Sequence, residues 1–450
     1  MDLLNAVKSI NNVLWNYILI FLLCGTGVIF TFSLKFVQVS RFKKAFKKAF
    51  GGISLRGKKA GKDGMSSFQS LATAIAAQVG TGNLAGAATA IVSGGPGAIF
   101  WMWISAFLGM ATIFGEVVLA QIFKEKIDGE VTGGPAYYIS KGLKSNFLAS
   151  FFSVSIILAL GFIGNMVQAN SIGAAFSNIC NIPSWIIGIL IAILGLFVFI
   201  GGIERIASVT EKMVPIMALF YVIGSIIILY RNYVNILPAF RLIFLSAFNP
   251  KAVLGGTAGI TIKQAVRYGV ARGLFSNEAG MGSTPHAHAV AKVKHPVEQG
   301  LVAMVGVFID TFVVLTFTAF VILTTGVLDG KTTGIELTQN AFTQGLGSFG
   351  SYFIAIALFF FAFSTIIGWY FFGEANVKYL FKGKGLTVYR LLVAAFIVIG
   401  TTLKVDLVWE LADTFNGLMV IPNVIALIAL VKLVKDSLKD YNENLEISDR

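Results

Sequence analysis

Three short clusters in this 450-residue chain carry residue types suited to holding a small charged solute. Gln78 to Gly86 reads Gln-Val-Gly-Thr-Gly-Asn-Leu-Ala-Gly, and Arg272 to Ser283 reads Arg-Gly-Leu-Phe-Ser-Asn-Glu-Ala-Gly-Met-Gly-Ser. The third, Phe359 to Trp369, is an aromatic run with Ser364 and Thr365 side by side inside it. All three sit in stretches apolar enough to cross a membrane, where lipid cannot satisfy bare N–H and C=O groups. Glycine, threonine and asparagine are poor helix formers, so the first two clusters should interrupt their helices. An interrupted helix in a membrane presents amides to an anion and carbonyls to a cation.

In the first cluster, the amides of Gly80, Thr81 and Gly82 would point at an anionic group, and the carbonyls of Ala76 and Val79 at a cation. Gln78 and Asn83 add polar side chains. Packing of small residues would account for the glycines, but not for Gln78, Thr81 and Asn83 beside them. In the second cluster Phe275 would wall a pocket, with Ser276 and Asn277 as polar contacts. Glu278 must face protein, water or a cation, with Arg272 as an alternative partner. Adjacent hydroxyls such as Ser364 and Thr365 usually bond their own helix carbonyls; opposite two interrupted helices they become candidate cation ligands.

Other polar residues are weighed the same way. Asn165, Gln168 and Asn170 fall within six positions and suggest a cavity face, although they do not all share one side of a helix. Glu116 and Glu374 lie near predicted segment ends and read as snorkelling side chains; Asp310 is deeper. His286 and His288 stand at i and i+2 and do not share a helix face, which argues against a metal pair. Cys24 and Cys180 build neither a disulfide framework nor a zinc site. The glycines at 80–86 echo a dinucleotide fingerprint but follow no soluble strand. No nucleophile–base arrangement is visible, so an enzyme is disfavoured.

The elements that must position these residues follow from composition. Hydrophobic residues make up 56% of the chain and charged residues 13%, with a mean hydropathy of +0.80. Soluble domains carry about twice that charged fraction; the chain reads as an all-α polytopic membrane protein. Eleven apolar stretches of spanning length can be marked: 13–34, 66–93, 97–123, 147–178, 184–202, 213–231, 262–291, 298–326, 347–375, 387–403 and 409–433. The first is a leader; the others are segments one to ten. Segments one and six, the first members of two five-helix halves, are the interrupted ones. An odd number of helices makes the halves run in opposite directions, an inverted repeat whose paired breaks point to a transport site. The organisation is then a leader helix and basic loop (1–64), a first repeat (65–231), an outer loop with a second repeat (232–433) and a tail (434–450).

The net charge of +13 is explained by loops rather than by nucleic acid. With the N-terminus outside, the inner loops and tail hold 26 of the 35 Lys and Arg residues and the outer loops hold six, as the positive-inside rule requires. The C-terminus is then cytoplasmic. No cleavable signal peptide is expected. Arg41 to Phe50 interleaves basic residues with phenylalanines, a pattern for an amphipathic helix on the inner leaflet. The 232–261 loop is long enough to pack over the mouth of a pathway, and the tail after Lys432 reads as a frayed helix.

Four stretches carry a resemblance. GGPGAIFWMWISAFLG (94–109), GTGNLAG (80–86), TGGPAYYI (132–139) and NEAGMGSTPHAHA (277–289) resemble the alanine or glycine:cation symporter family. The resemblance implies a leucine-transporter-type fold with ten core helices in two inverted repeats, here with a leader in front. It implies sodium-driven uptake of alanine or glycine, possible also for serine and D-alanine, across the plasma membrane of a prokaryote. By match to the fold's Gly-x-Gly-Asn, the Thr81 and Gly82 amides would hold the substrate carboxylate. Carbonyls of Ala76, Val79 and Phe361 with the Ser364 and Thr365 hydroxyls would hold sodium. Carbonyls near Phe275 and Ser276 would meet the ammonium, and Gln78, Asn277, Phe275 and Trp369 would shape a small pocket, with Asn170 among the substrate-facing residues. Sodium is the coupling ion and no further cofactor is implied; alanine, glycine, sodium and membrane lipid are the partners, with no nucleic acid and no obligate protein partner. A proton-coupled permease of the same fold, with Asp310 or Glu278 as carrier, is the alternative. A channel would need rings from oligomer symmetry, and a nutrient sensor would need a signalling domain.

Overall fold

The computed structural model describes residues 3–51, 60–249 and 261–444. All eleven expected stretches are helical. Among the described residues, seven helices are long and apolar enough to cross a membrane: Leu4–Ser33, Ala98–Ile122, Asn146–Cys180, Gly202–Arg231, Pro296–Thr325, Phe349–Phe381 and Leu407–Asn444. An eighth span is a bent pair, Ser67–Gln78 with Gly82–Gly94, angled by 49°. Ser184–Ile200 and Leu386–Thr402 are shorter apolar helices, and segment six is divided into Ile262–Asn277 and Pro285–Ala289.

Both divided helices start the same way. Ser66 and Gln69 form a capping box, with Gln69 N–H donating to Ser66 Oγ at 3.1 Å and Ser66 N–H to Gln69 Oε1 at 3.0 Å. Thr261 and Gln264 repeat it at 3.3 and 2.8 Å. Each box satisfies amides that the first helical turn leaves without partners.

The segments fall into two packed groups, one, two, six and seven against one another, and three, four, eight and nine against one another. Glycines let the helices approach. At Gly368 an added Cβ would stand 2.7 Å from the Cβ of Ala77, where segment eight meets segment one. At Gly134, held at φ 133°, it would stand 2.5 Å from the His286 ring, so Thr132 to Ile139 packs against the C-terminal half of segment six.

Several sequence expectations are corrected. The fold is helical as expected, with one short addition among the described residues: Glu125–Ile127 and Glu130–Thr132 pair as a hairpin, Lys126 opposite Val131. Asp128 and Gly129, at φ 52° and 80°, supply the two-residue turn, a signal the Asp-Gly dipeptide carries. The 232–249 stretch is mostly a helix, Ile236–Phe248, held to segment two by Trp101 Nε1 donating to the Ala247 carbonyl at 3.3 Å; residues 250–260 of the expected loop lie outside the described residues. Phe42–Phe50 is the expected basic helix, but it is docked: Ala45 and Ala49 are buried, Phe42 meets Phe308 at 4.9 Å and Lys48 pairs with Glu298 at 2.8 Å. The last helix is ordered to Asn444, with Tyr441 buried rather than frayed.

Candidate functional site

Segment one unwinds where Val79 leaves helical geometry at ψ 88°, and resumes as a π-helical turn, Gly82–Gly86. π turns inside membrane helices recur at functional sites. Space explains the glycines. A Cβ on Gly80 would stand 2.4 Å from Thr365 Oγ1, and one on Gly82 would stand 3.0 Å from the Ser276 backbone. The break therefore touches segment eight on one side and segment six on the other.

Against segment eight, five oxygens converge. Thr365 Oγ1 lies 3.0 Å from the Ala76 carbonyl, 3.0 Å from that of Phe361 and 3.5 Å from that of Val79. Ser364 Oγ lies 3.1 Å from Ala76 O and 2.8 Å from Phe361 O. All five residues are fully buried. Two hydroxyl protons cannot serve three carbonyls through every one of these contacts at once, since each hydroxyl carries a single donor. The excess of acceptors, all neutral hard oxygens, suits a monovalent hard cation.

The amides of the break are already engaged. Gly80 N–H donates to Asn83 Oδ1 at 3.0 Å and Thr81 N–H to Gln168 Oε1 at 3.2 Å. Three buried polar atoms beside them have no hydrogen-bond partner: Gln78 Oε1, Thr81 Oγ1 and Gln168 Nε2. Buried polar groups are nearly always satisfied, so these atoms are free to bond a polar guest. Gln78 uses its other end, Nε2, to bond the Asn277 carbonyl at 2.8 Å.

Asp310 joins the two divided helices. Its Oδ1 accepts from Asn83 Nδ2 at 2.7 Å and from Ser276 Oγ at 2.9 Å, and its Oδ2 from Thr311 Oγ1 at 2.8 Å. Thr311 in turn accepts from Asn277 Nδ2 at 3.1 Å. Ser276, Asn277 and Asn83 are thus committed to this network. Segment six stays helical through Asn277, so its break is shorter than the Arg272–Ser283 stretch suggested. It begins at Glu278, left-handed at φ 59°, and passes Gly280 and Gly282 at 86° and 82°.

Two acids differ from their sequence reading, and a third, Glu278, faces protein as expected but not the alternative partner Arg272. Glu278 does not pair with Arg272: it accepts from Trp369 Nε1 and, at 2.6 Å, from Ser283 Oγ. Arg272 pairs instead with Asp413 in segment ten, Nη1 to Oδ1 at 3.1 Å. Glu116 does not snorkel: it is fully buried and accepts from Gly280 N–H and Gly282 N–H, both at 2.9 Å, and from Asn423 Nδ2 at 2.6 Å. Glu374 is also buried, and meets Lys378 at 2.9 Å. His286 and His288 are buried apart, bonding Asn376 and Gln299, and no metal-holding group of His, Cys, Asp or Glu occurs among the described residues.

Of the residues singled out from sequence, Ala76, Val79, Phe361, Ser364 and Thr365 come together, and Gln78, Gly80, Thr81, Gly82, Asn83, Ser276 and Asn277 join them around the break. Phe275 stands edge-on to Trp369 at 5.9 Å and tilted to Trp409 at 4.9 Å. Beyond this aromatic set lies a cavity of about 540 Å³ lined by Arg272, Asp413, Trp409 and Lys8 among others. Asn170 belongs to that cavity and not to the break; its Nδ2 bonds the carbonyls of Gly400 and Leu403 at 2.7 and 3.0 Å. Gln168, Asp310 and Asp413 are the residues the sequence undervalued: each meets its partner across more than eighty positions.

A helical membrane protein with two divided helices around one buried oxygen cluster has the build of a secondary transporter. The sodium:alanine symporter family model matches residues 1–449, and the chain belongs to that family. It is 43% identical to the sodium/alanine symporter AgcS of Methanococcus maripaludis, over 98% of both chains. It is 44% identical to the probable sodium/glutamine symporter GlnT of Bacillus subtilis, over 97% of this chain and 90% of that protein. It is 42% identical to the putative sodium/proton-dependent alanine carrier YrbD of the same organism, over 97% and 92%. A crystal structure of the Eremococcus coleocola manganese transporter matches in fold, with a TM-score of 0.51 and 15% identity over 84% of this chain and 81% of that one.

Proposed function

We propose that this chain is a sodium-coupled importer of small neutral amino acids, alanine and glycine first among them. The observation that carries the reading is the oxygen cluster of Ala76, Val79, Phe361, Ser364 and Thr365. Sodium seated there would fix the carbonyls that end the first half of segment one, and so order the amides that follow. The substrate carboxylate would displace Gln168 from Thr81 N–H and take the Thr81 hydroxyl and Gly82 amide, while the ammonium meets carbonyls at the end of Ile262–Asn277. Phe275 and Trp369 would limit the side chain to a methyl or hydroxymethyl. The eleven helices are read as eleven crossings in a leucine-transporter-type arrangement, a leader and two inverted five-helix repeats, with the N-terminus outside and the C-terminus in the cytoplasm. Ser184–Ile200 and Leu386–Thr402 have 17 residues each, about 25 Å of helix at 1.5 Å per residue and near the lower limit for a span.

The test is uptake into proteoliposomes under an inward sodium gradient. Alanine should accumulate with sodium outside and not with potassium; equal accumulation would sink the coupling. Competition by glycine, serine, D-alanine, glutamine and leucine then ranks the pocket.

A second reading gives the coupling to protons, with Asp310 as carrier. Its support is the placement of a buried carboxylate between both divided helices with neutral donors around it. It requires alanine uptake driven by a pH gradient without sodium, abolished in Asp310→Asn. Uptake that needs sodium and ignores the pH gradient removes it.

A further inference from the structure

Away from the divided helices, a groove of about 380 Å³ opens between segments three, eight and nine. Ile157, Phe162, Val377, Val388 and Leu392 line it, and Lys384 stands at its edge. It borders an irregular stretch of segment three. Segment three is π-helical from Ile157 to Gly164, which widens the helix by an extra residue per turn. At Gly161 the bulge comes so close to segment nine that an added Cβ would stand 2.7 Å from the Tyr389 hydroxyl. Val388 and Leu392 remain 60% and 43% exposed along the groove.

The connection between segments eight and nine is tight. Lys382, Gly383 and Gly385 are left-handed at φ 50°, 79° and 83°, and Lys384 N–H closes the turn on the Phe381 carbonyl at 3.1 Å. This turn places two exposed lysines, Lys382 and Lys384, in the connection that borders the groove. Nearby cations are engaged: Lys378 with Glu130 and Glu374, Arg390 with Glu374. Asp128 abuts Gly383, yet among the described residues neither Lys382 nor Lys384 forms an ion pair. An apolar groove in a membrane protein, with unpaired lysines where it meets the polar turn, complements a molecule that is anionic at one end and aliphatic along the rest.

We propose that this groove holds an acyl chain of a phospholipid whose anionic headgroup sits on Lys382 and Lys384. An acyl chain gains little by leaving its neighbours in the bilayer, so the groove supplies shape and the lysines supply selection. A lysine near the membrane surface favours anionic lipid by about fivefold, and two together on the order of twentyfold.

The experiment is native mass spectrometry of the full chain in detergent, titrated with phosphatidylglycerol and phosphatidylcholine of the same acyl chains. Phosphatidylglycerol should be retained preferentially. Lys382→Glu with Lys384→Glu should abolish that preference, a loss on the order of twentyfold or more, while the same change at exposed Lys432 and Lys435 should leave it intact. Val388→Trp with Leu392→Trp should fill the groove and lose both adducts; both side chains are exposed, and Leu392→Trp alone serves where the pair disturbs folding. Equal retention of the two lipids overturns the proposal, as does an identical loss in the Lys432 and Lys435 control. Lipid still held by the tryptophan variants overturns it too, and a dimer lost in place of lipid would assign the groove to a second copy of the chain.

Discussion

Thr365 faces three carbonyls with a single proton, so at any instant two of them lack it. On the proposed reading, a sodium ion would complete the set. Thr365→Ala removes one ligand and leaves the carbonyls in place. Hydrogen bonds and contacts to a charged group contribute about 1.5–3 kcal/mol, so the sodium concentration for half-maximal uptake should rise by about tenfold or more. Sodium titration of alanine uptake measures it, and unchanged activation would remove Thr365 from the ion site. Adjacent hydroxyls usually bond their own helix carbonyls, so in the sequence this pair stands out only beside two interrupted helices. Asp310 was harder to read: an acid in an apolar stretch announces a function but not its partners, and Asn83 is 227 positions away. Glu116 misled because distance from a segment end was taken for depth, whereas two glycine amides of the segment-six break enclose it.

At the scale of elements, both breaks were visible as clusters of poor helix formers, but their extents were not. The run of glycine and polar residues suggests a second break from Arg272, yet the capping box at Thr261 and Gln264 and the helical residues after it carry the helix on to Asn277. The capping boxes themselves were readable as Ser-x-x-Gln and Thr-x-x-Gln. Gly80 tests the first break. Gly80→Ala would push a Cβ to 2.4 Å from Thr365 Oγ1 and should reduce transport by at least about tenfold, a loss that a misplacement near 1 Å can produce. Gly86→Ala is the control: its Cβ would meet only the Thr81 carbonyl at 3.9 Å, and transport should persist. Initial uptake rates of the two variants at equal membrane abundance decide the matter. The turn at 326–333, outside the membrane helices, gives a pH prediction. Asp329 accepts from Lys331 N–H and Thr332 N–H, both at 2.8 Å, and from the Thr332 hydroxyl, and these bonds hold its carboxyl down at about 2. A depressed acid stabilises above its ordinary value near 3.8 and loses that contribution as pH falls toward about 2. Exchange protection of the Lys331 and Thr332 amides, corrected for intrinsic rates, should therefore hold at pH 5 and vanish across that window.

For the whole molecule, composition and charge placement conveyed a polytopic membrane protein and its eleven helical stretches, because both depend on residue totals rather than on contacts. Contacts between distant segments were not legible, and the Arg272–Asp413 pair above the aromatic set is an instance, joining segments six and ten. Both side chains are about nine-tenths buried. Removing one partner leaves a buried charge and costs about 3–5 kcal/mol, whereas removing both can be nearly neutral. Asp413→Asn should therefore lower thermal stability in detergent more than Asp413→Asn combined with Arg272→Gln, as a thermal-shift assay reads; a double variant worse than the single would refute the pairing. One earlier feature reaches further than stability. Ala76 and Val79 belong to one packed group of helices, and Phe361, Ser364 and Thr365 belong to the other. Their oxygens meet on the seam between the groups, so an ion seated there is a rivet through two plates. On the proposed reading, sodium alone would hold that seam, and only sodium together with substrate would let the two groups turn. Bound sodium would then work as a clutch, setting when the two halves of the machine move together, while the gradient sets the direction of travel.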